Sequence, residues 1–300
     1  MSFWRIQKCI FRCIFLIIFM VLTTVYISGC QNSSLEEVNF EVITLEDGTE
    51  LFRYSNMEHY AIQNLQNCTS DVYITPNTEV NGYPVKEMWE KATVGNTSIK
   101  TMIVTDNIEE IAFDVFYYEF SSLESIFLGA GTKKVQYGMF ARCPNLKQVT
   151  VDIRNPIYYS ENNAIIERDT HRIVAASNAT RDIPTTAKIL AGDSFTDLNL
   201  EDLMLPDNIE KIEARAFRDC AKLLAVYIPE SIQAVGEKLF VLNNTQSPAE
   251  LIVFCETKEK PIGWDDNWDD GRDIIVHWGA TAEDYRAHLN SIGLISEASA

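Results

Sequence analysis

Positive charge is scarce in this chain, with 25 Lys and Arg set against 43 Asp and Glu in 300 residues. Nucleic acids and anionic bilayer surfaces are both held through basic patches, so this balance argues against either as a partner. No C-x-x-C pair is present, which leaves zinc and thioredoxin-like readings without support. The four histidines, His59, His171, His277 and His288, show no ligand spacing such as i, i+4. There is no G-x-S-x-G, no H-E-x-x-H and no glycine-rich phosphate loop. Catalytic groups can stand far apart in a sequence, so these absences weaken an enzyme reading without removing it. No catalytic residue, metal ligand or cofactor is assigned.

One acidic run invites a calcium reading: Trp264-Asp265-Asp266-Asn267-Trp268-Asp269-Asp270-Gly271. A D-x-N-x-D-G loop starting at Asp265 would need Gly at position 270 and Glu at position 276. Asp270 and Val276 stand there instead, so the EF-hand reading fails. Trp264 and Trp268 are expected to close a core.

Residues 1–29 differ from the rest. Arg5, Lys8 and Arg12 make a basic start, and no acidic residue precedes Glu36. An apolar run follows from Cys13 to Ile27, broken by Thr23 and Thr24, and ends in Ile27-Ser28-Gly29-Cys30 before a polar stretch. This is the layout of a secretory signal peptide. The run is short for a spanning helix, which needs roughly 20 apolar residues. Small residues before a cysteine admit a peptidase, and a thiolate is the nucleophile that takes a lipid. Ile27-Ser28-Gly29-Cys30 resembles the lipobox of bacterial lipoproteins, which implies acylation at Cys30 and a place in the bacterial envelope, outside the cytoplasmic membrane. An uncleaved signal anchor and a plain secreted protein are the alternatives. After residue 29 the chain keeps 22 basic and 43 acidic side chains, a formal charge of −21. Such a body stays soluble and off an anionic bilayer.

An internal repeat decides the fold class. An aliphatic residue stands five positions before a Phe in Ile111/Phe116, Val135/Phe140, Leu190/Phe195, Ile212/Phe217 and Val235/Phe240. Apolar triplets spaced 0, +3, +5 follow: Leu123-Ile126-Leu128, Leu146-Val149-Val151, Leu200-Leu203-Leu205 and Leu223-Val226-Ile228. Ile99-Met102-Val104 marks an earlier, degenerate unit, and Leu251 and Val253 keep part of the pattern after the last Phe. The 55-residue gap between Phe140 and Phe195 holds an insert, 152–185. In it, Ala164-Ile165-Ile166 and Arg172-Ile173-Val174 read as a β-hairpin. A unit of about 23 residues cannot bury its own apolar face. Stacked neighbours can, which makes a solenoid of short strands and single helical turns.

The unit Leu205-Pro206, Ile209, Ile212, Ala216-Phe217, Cys220, Leu223, Val226, Ile228-Pro229 resembles the BspA-like leucine-rich repeat. Val80-Asn81-Gly82-Tyr83-Pro84-Val85 resembles that family's entry into its first repeat. Asn155-Pro156-Ile157-Tyr158-Tyr159-Ser160 resembles its hairpin insert. Pro261-Ile262-Gly263-Trp264, Trp268 and Val276-His277-Trp278-Gly279 resemble its closing segment. The resemblance spans about residues 71–279. It implies a right-handed surface solenoid used in adhesion or protein contacts, without catalytic residues. Cys143 and Cys220 keep the family's cysteine position, whereas Phe120 stands near it in an earlier repeat. Few and eroded repeats leave a small binding face.

The expected organisation is a signal peptide at 1–29, a linker and β cap at 30–70, a solenoid at 71–255 and a C-terminal cap at 256–300. Phe40–Ile43 and Leu51–Tyr54, joined through Glu46-Asp47-Gly48-Thr49, read as a hairpin. Thr281-Ala282-Glu283-Asp284 is a capping-box-like start to a helix ending near Ile292. Cys143 and Cys220 are expected as buried thiols, and Cys68 and Cys255 lie too far apart to pair along a straight coil.

The candidate interaction residues come from one column. Between the last two inward residues of each triplet lies an outward one, and down the stack these read Ile103, Phe127, Thr150, Met204, Tyr227 and Ile252. The neighbouring column reads Thr101, Ser125, Gln148, Asp202, Ala225 and Glu250. An exposed apolar stripe with a polar rim marks a contact site. A flank or another layer covering it is the competing reading, and both stay open at this point. The resulting expectation is a non-catalytic surface lipoprotein that binds an unknown protein or surface ligand through Ile103, Phe127, Met204, Tyr227 and Ile252. The alternative is an envelope-associated accessory factor or hydrolase with an unrecognised active site. A soluble-ligand receptor lacks the two-lobe α/β pattern.

Overall fold

A spacing of five positions from an aliphatic side chain to a Phe is enough for the end of a short strand and one turn, and that unit recurs along the chain. The computed structural model describes residues 39–112, 114–116, 120–243 and 250–295. The signal segment 1–29 and Cys30 lie outside them.

The chain enters through β1 (Phe40–Thr44), β2 (Glu50–Tyr54) and β3 (Tyr60–Asn64), an antiparallel meander. Leu51, Tyr60 and Ile62 of this expected hairpin and its third strand are fully buried and seal the first end of the core. Strands then alternate between two sides of a coil as far as β8: β4 (Val72–Ile74), β5 (Val85–Met88), β6 (Thr101–Val104), β7 (Glu110–Ile111) and β8 (Ser125–Leu128), after which a single Glu110–Lys134 bridge stands in for a strand before β9 (Gln148–Val151). One side is the parallel sheet β4-β6-β8-β9; the other continues the cap as β3-β5-β7. The insert holds β10 (Tyr158–Glu161), β11 (Ala164–Glu167) and β12 (Arg172–Ala175), and after it come β13 (Ile189–Leu190), β14 (Asp202–Met204), β15 (Lys211–Ile212), β16 (Ala225–Ile228) and β17 (Ala234–Val235). β18 (Leu251–Cys255), β19 (Ile274–Trp278) and the helix α1 (Ala282–Ser291) complete it. The second half repeats the two-sided plan with β14-β16-β18-β19 on one side and β12-β13-β15-β17 on the other. The protein is a β-solenoid with a hairpin cap and a short C-terminal helix.

Every residue of the repeat pattern points inward. Each aliphatic–Phe pair and each complete triplet is buried, with alternating burial along β6, β8 and β9 as a pleated strand requires. The phenylalanines stack into ladders: Phe116 and Phe140 at 6.3 Å, Phe195 and Phe217 at 5.3 Å, Phe217 and Phe240 at 5.7 Å. The residue three positions past each short strand turns the chain with positive φ. These are Lys91, Asp114, Gly138, Asp193, Arg215 and Lys238, with φ between 54° and 65°. At Gly138 a Cβ would fall 2.2 Å from the Asp193 carbonyl oxygen, so the turn there admits only glycine.

The insert is a partition inside the coil rather than a surface decoration. β10, β11 and β12 form an antiparallel meander, and β12 then pairs in parallel with β13. Ile165 and Val174 face the core made by the first repeats, while Ala164, Ile166 and Ile173 face the core made by the later ones. A strand buried on both faces reads as a continuous apolar run, as Ala164-Ile165-Ile166 does. The insert also closes the edge of β9: Val149 N–H donates to Asn163 Oδ1 and Val151 N–H to Ser160 Oγ. Open strand edges invite pairing with other chains, and these side chains occupy this one.

Charges form ladders between equivalent positions of successive turns. Glu109 sits between Lys133 and Lys86, each at 2.7 Å. The hydrogen bond from Lys133, then that from Lys86, hold its carboxyl down to about 2. Lys134 pairs with Glu110, Lys147 with Glu124 and Lys188 with Glu210 in the same way.

Cys68, Cys143, Cys220 and Cys255 are all buried and unpaired. Burial raises all four thiols, Cys220 and Cys255 to about 12. Only the thiolate reacts with iodoacetamide. At pH 8 none of the four should be alkylated in the folded protein, and all should be after unfolding in guanidinium. Mass spectrometry of the two digests reads this directly. Rapid native labelling of Cys143 or Cys220 would place the repeat in the wrong register.

Candidate interaction face

Sheet pairing sets which outward side chains stand side by side. On the first sheet, Ile74, Ile103, Phe127 and Thr150 are neighbours across β4, β6, β8 and β9, and Val72, Thr101, Ser125 and Gln148 form the adjacent file. Ile74 is 55 % exposed, Val72 is also exposed, and Ile103 and Phe127 are half-buried. Among the described residues the main packing partners of β4, β6 and β8 are one another and β9, and β9 in turn meets β10 and β11 of the insert. Thr101 and Ser125 share a hydrogen bond of 2.9 Å between their hydroxyls, which lowers the small file's demand for water. Along one rim, Asp71, Lys100, Glu124 and Lys147 alternate in sign around a shallow groove.

On the second sheet the register corrects the sequence reading. Tyr227 stands beside Phe254, and Ile252 beside Ala225, so Ile252 belongs to the neighbouring file rather than to the Tyr227 column. Leu251 and Val253 are thus not the last two members of a triplet; Val253 and Cys255 face Val226 and Ile228. A two-residue slip keeps inward residues inward, so alternation alone could not detect it.

Exposure differs as well. Tyr227 is 5 % exposed, whereas Ile252 is half-buried like Ile103 and Phe127 but packs against the core under the C-terminal helix. Helix α1 lies over them, with Tyr285, Leu289 and Ala280 packed against Ala225, Tyr227 and Phe254. The Tyr285 and Tyr227 rings are 6.0 Å apart, and Tyr285 meets Phe254 edge-on at 5.8 Å. Tyr285 Oη donates to Asp202 Oδ2 at 2.8 Å. Burial, followed by nearby Glu256, pushes the Tyr227 phenol up to about 12. The helix starts where its sequence says. Asp284 N–H donates to Thr281 Oγ1, and Thr281 N–H donates to Asp284 Oδ2. Met204, at the sheet's margin, stays 39 % exposed.

The column is therefore split. Ile103 and Phe127 remain open to solvent, together with Ile74, which sequence reading missed. Tyr227 belongs to a small core under the helix. The alternation Val72-Tyr73-Ile74, with Tyr73 buried, was the available signal for β4. At the far end Trp264 and Trp268 are buried edge-on at 5.1 Å, and Trp264 Nε1 donates to the Ile232 carbonyl. Among the described residues no group of three acidic, histidine or cysteine side chains is placed to hold a metal ion, and no helix is long and apolar enough to cross a membrane.

A coil with one strand per turn on each side, inward Leu/Ile/Val files and a stacked Phe ladder defines a leucine-rich-repeat solenoid. The chain belongs to the BspA type leucine-rich repeat family, whose profile matches residues 67–167 and 177–253 in six copies. This is a family of generally non-catalytic repeat proteins, typically surface or binding proteins. Among solved structures, the chain is similar to a leucine-rich repeat protein from Eubacterium ventriosum, with 12 % identity over 79 % of this chain and 78 % of that one and a TM-score of 0.43. It is also similar to a leucine-rich repeat protein of T. pallidum, with 19 % identity, 75 % and 86 % coverage and a TM-score of 0.35. A leucine-rich cell surface protein from Faecalibacterium prausnitzii matches at 11 % identity over 82 % and 97 %, with a TM-score of 0.26. No curated protein matches the chain.

Proposed function

We propose that this protein is a non-catalytic binding module, held outside the cytoplasmic membrane of a bacterium by lipid on Cys30, that engages a protein through its first sheet. The observation that carries the binding role is the open apolar file of Ile74, Ile103 and Phe127 in a chain that shields the corresponding file of its second sheet with its own helix. Uncovered apolar files with polar rims are contact surfaces, and aromatic side chains at their centre carry most of the binding energy. Tyr227 and Ile252 drop out of the site, and so does Met204, which stands on the second sheet.

A photo-crosslinking residue at position 127 should capture one partner of defined mass on living cells. One placed at Ile262, which is fully exposed and outside the first sheet, should not. Adding Ile103→Ser to the chain that carries the crosslinker at 127 should weaken that adduct while keeping stability within about 1 kcal/mol, since partly exposed positions tolerate change. Equal adducts from positions 127 and 262 would move the site elsewhere.

The anchor is tested separately. The basic start, apolar run and Ile27-Ser28-Gly29-Cys30 support acylation of Cys30, and two or more chains give stable attachment at about 0.8 kcal/mol per buried CH2. Cys30→Ala should abolish incorporation of labelled palmitate. Palmitate retained in that variant would rule the lipobox out.

A further inference from the structure

The second sheet supplies a template for what the first sheet takes. Both are four-stranded parallel sheets of the same coil, and in both a small central side chain, Ser125 on β8 and Ala225 on β16, stands beside an aromatic one, Phe127 and Tyr227. On the second sheet the file that starts with Asp202 and Ala225 continues into Ile252 and Ile275, and the neighbouring file holds Tyr227 and Phe254. Helix α1 packs there through Tyr285 and Leu289, four residues apart on one face. On the first sheet the short file is Thr101 and Ser125, and the bulky file Ile103 and Phe127.

We infer that the first sheet is a docking site for an amphipathic α-helix of a second protein, one that presents an aromatic and an aliphatic side chain four residues apart. This rests on the reading that the first sheet is the binding face, and goes further by naming the element that binds. Side chains at i and i+4 lie about 5–6 Å apart on a helix, close to the 4.7–4.9 Å between neighbouring strands, so such a pair can seat over adjacent rows. The short Thr101–Ser125 file lets a helix backbone approach, while Ile103 and Phe127 bury its apolar stripe. The alternating rim of Asp71, Lys100, Glu124 and Lys147 has no net charge, so it repels neither an acidic nor a basic helix. A second copy of this chain fits less well. Two bodies of formal charge −21 repel each other, whereas a helix from a less acidic protein meets no such barrier.

The probe is a synthetic peptide of residues 280–294, held helical by a lactam bridge on its solvent side. It is titrated into the lipid-free chain beginning at Gln31 and followed by amide NMR. Saturable shifts are expected at residues 101–104 and 125–128. Phe127→Ser should weaken them about tenfold, in line with the loss of an aromatic anchor. Ser125→Arg fills the short file without touching the core and should abolish them. A peptide carrying Tyr285→Ser and Leu289→Ser should give none. Shifts confined to β16 and β18, where the peptide would merely replace α1, or no saturable shift at all, would overturn the inference. In either case crosslinking at position 127 still decides the binding role by itself. A dimer that forms with rising concentration and vanishes in Phe127→Ser would also overturn it, in favour of a second copy as occupant.

Discussion

Phe217→Ala is expected to destabilise the solenoid by about 3–5 kcal/mol, the range for removing a fully buried aromatic side chain. Phe217 has no exposed surface and touches ladder neighbours on both sides, Phe195 at 5.3 Å and Phe240 at 5.7 Å. A repeat protein is held by contacts between adjacent units, so one cavity here weakens two interfaces at once. For a body of this size the loss corresponds to a fall in melting temperature of about 10 °C. Circular dichroism on heating reads it. An unchanged melting temperature would mean that Phe217 does not sit in the ladder and that the 23-residue register is wrong.

Asn155→Ala should cost about 3 kcal/mol, more than its equivalent Asn208→Ala. Asn155 is buried where the first half of the coil meets the insert. Its Nδ2 donates to the carbonyls of Gly129 and Thr132, and its Oδ1 accepts from the N–H groups of Ile157 and Tyr158. Alanine leaves two acceptors and two donors of the backbone without these partners, and each buried unsatisfied group costs about 1–3 kcal/mol before relaxation. Asn208 Nδ2 makes the same two-carbonyl bridge, to Pro184 and Ala187, at a site that is only half-buried. Water can replace part of what it loses. Urea unfolding of both variants gives the comparison, and equal midpoints would show that the insert junction does not depend on the Asn155 bridge.

Much of this was legible in the sequence. The triplets and the aliphatic–Phe pairs could be read because offsets recur with each turn of the coil, and a repeated offset is a local property of the chain. The α1 start was readable for the same reason, since Thr281 and Asp284 cap a helix through groups three residues apart. Ile252 was misplaced because slips of two residues leave the inward pattern intact, and only the pairing of Tyr227 with Phe254 sets the register. Ile74 was missed because its strand is three residues long and precedes the first clear triplet. The hairpin at Ala164 and Arg172 was visible, but not that its two faces serve different cores. A continuous apolar run does not say which of its sides meets which neighbour.

The split of the apolar column was beyond the sequence altogether. Ile103, Phe127 and Tyr227 are alike in type and in repeat position, and nothing local distinguishes them. What separates them is where α1 comes to rest after β19, a contact between residues as distant as Asp202 and Tyr285. The repeat spacing by itself determined the coil, its core and the outward direction of these side chains, because those follow from backbone periodicity and burial of the nearest apolar neighbours. Which outward side chains stay open to a partner was decided by tertiary packing alone. A surface is defined by what covers it, and the covering element here is remote in the chain.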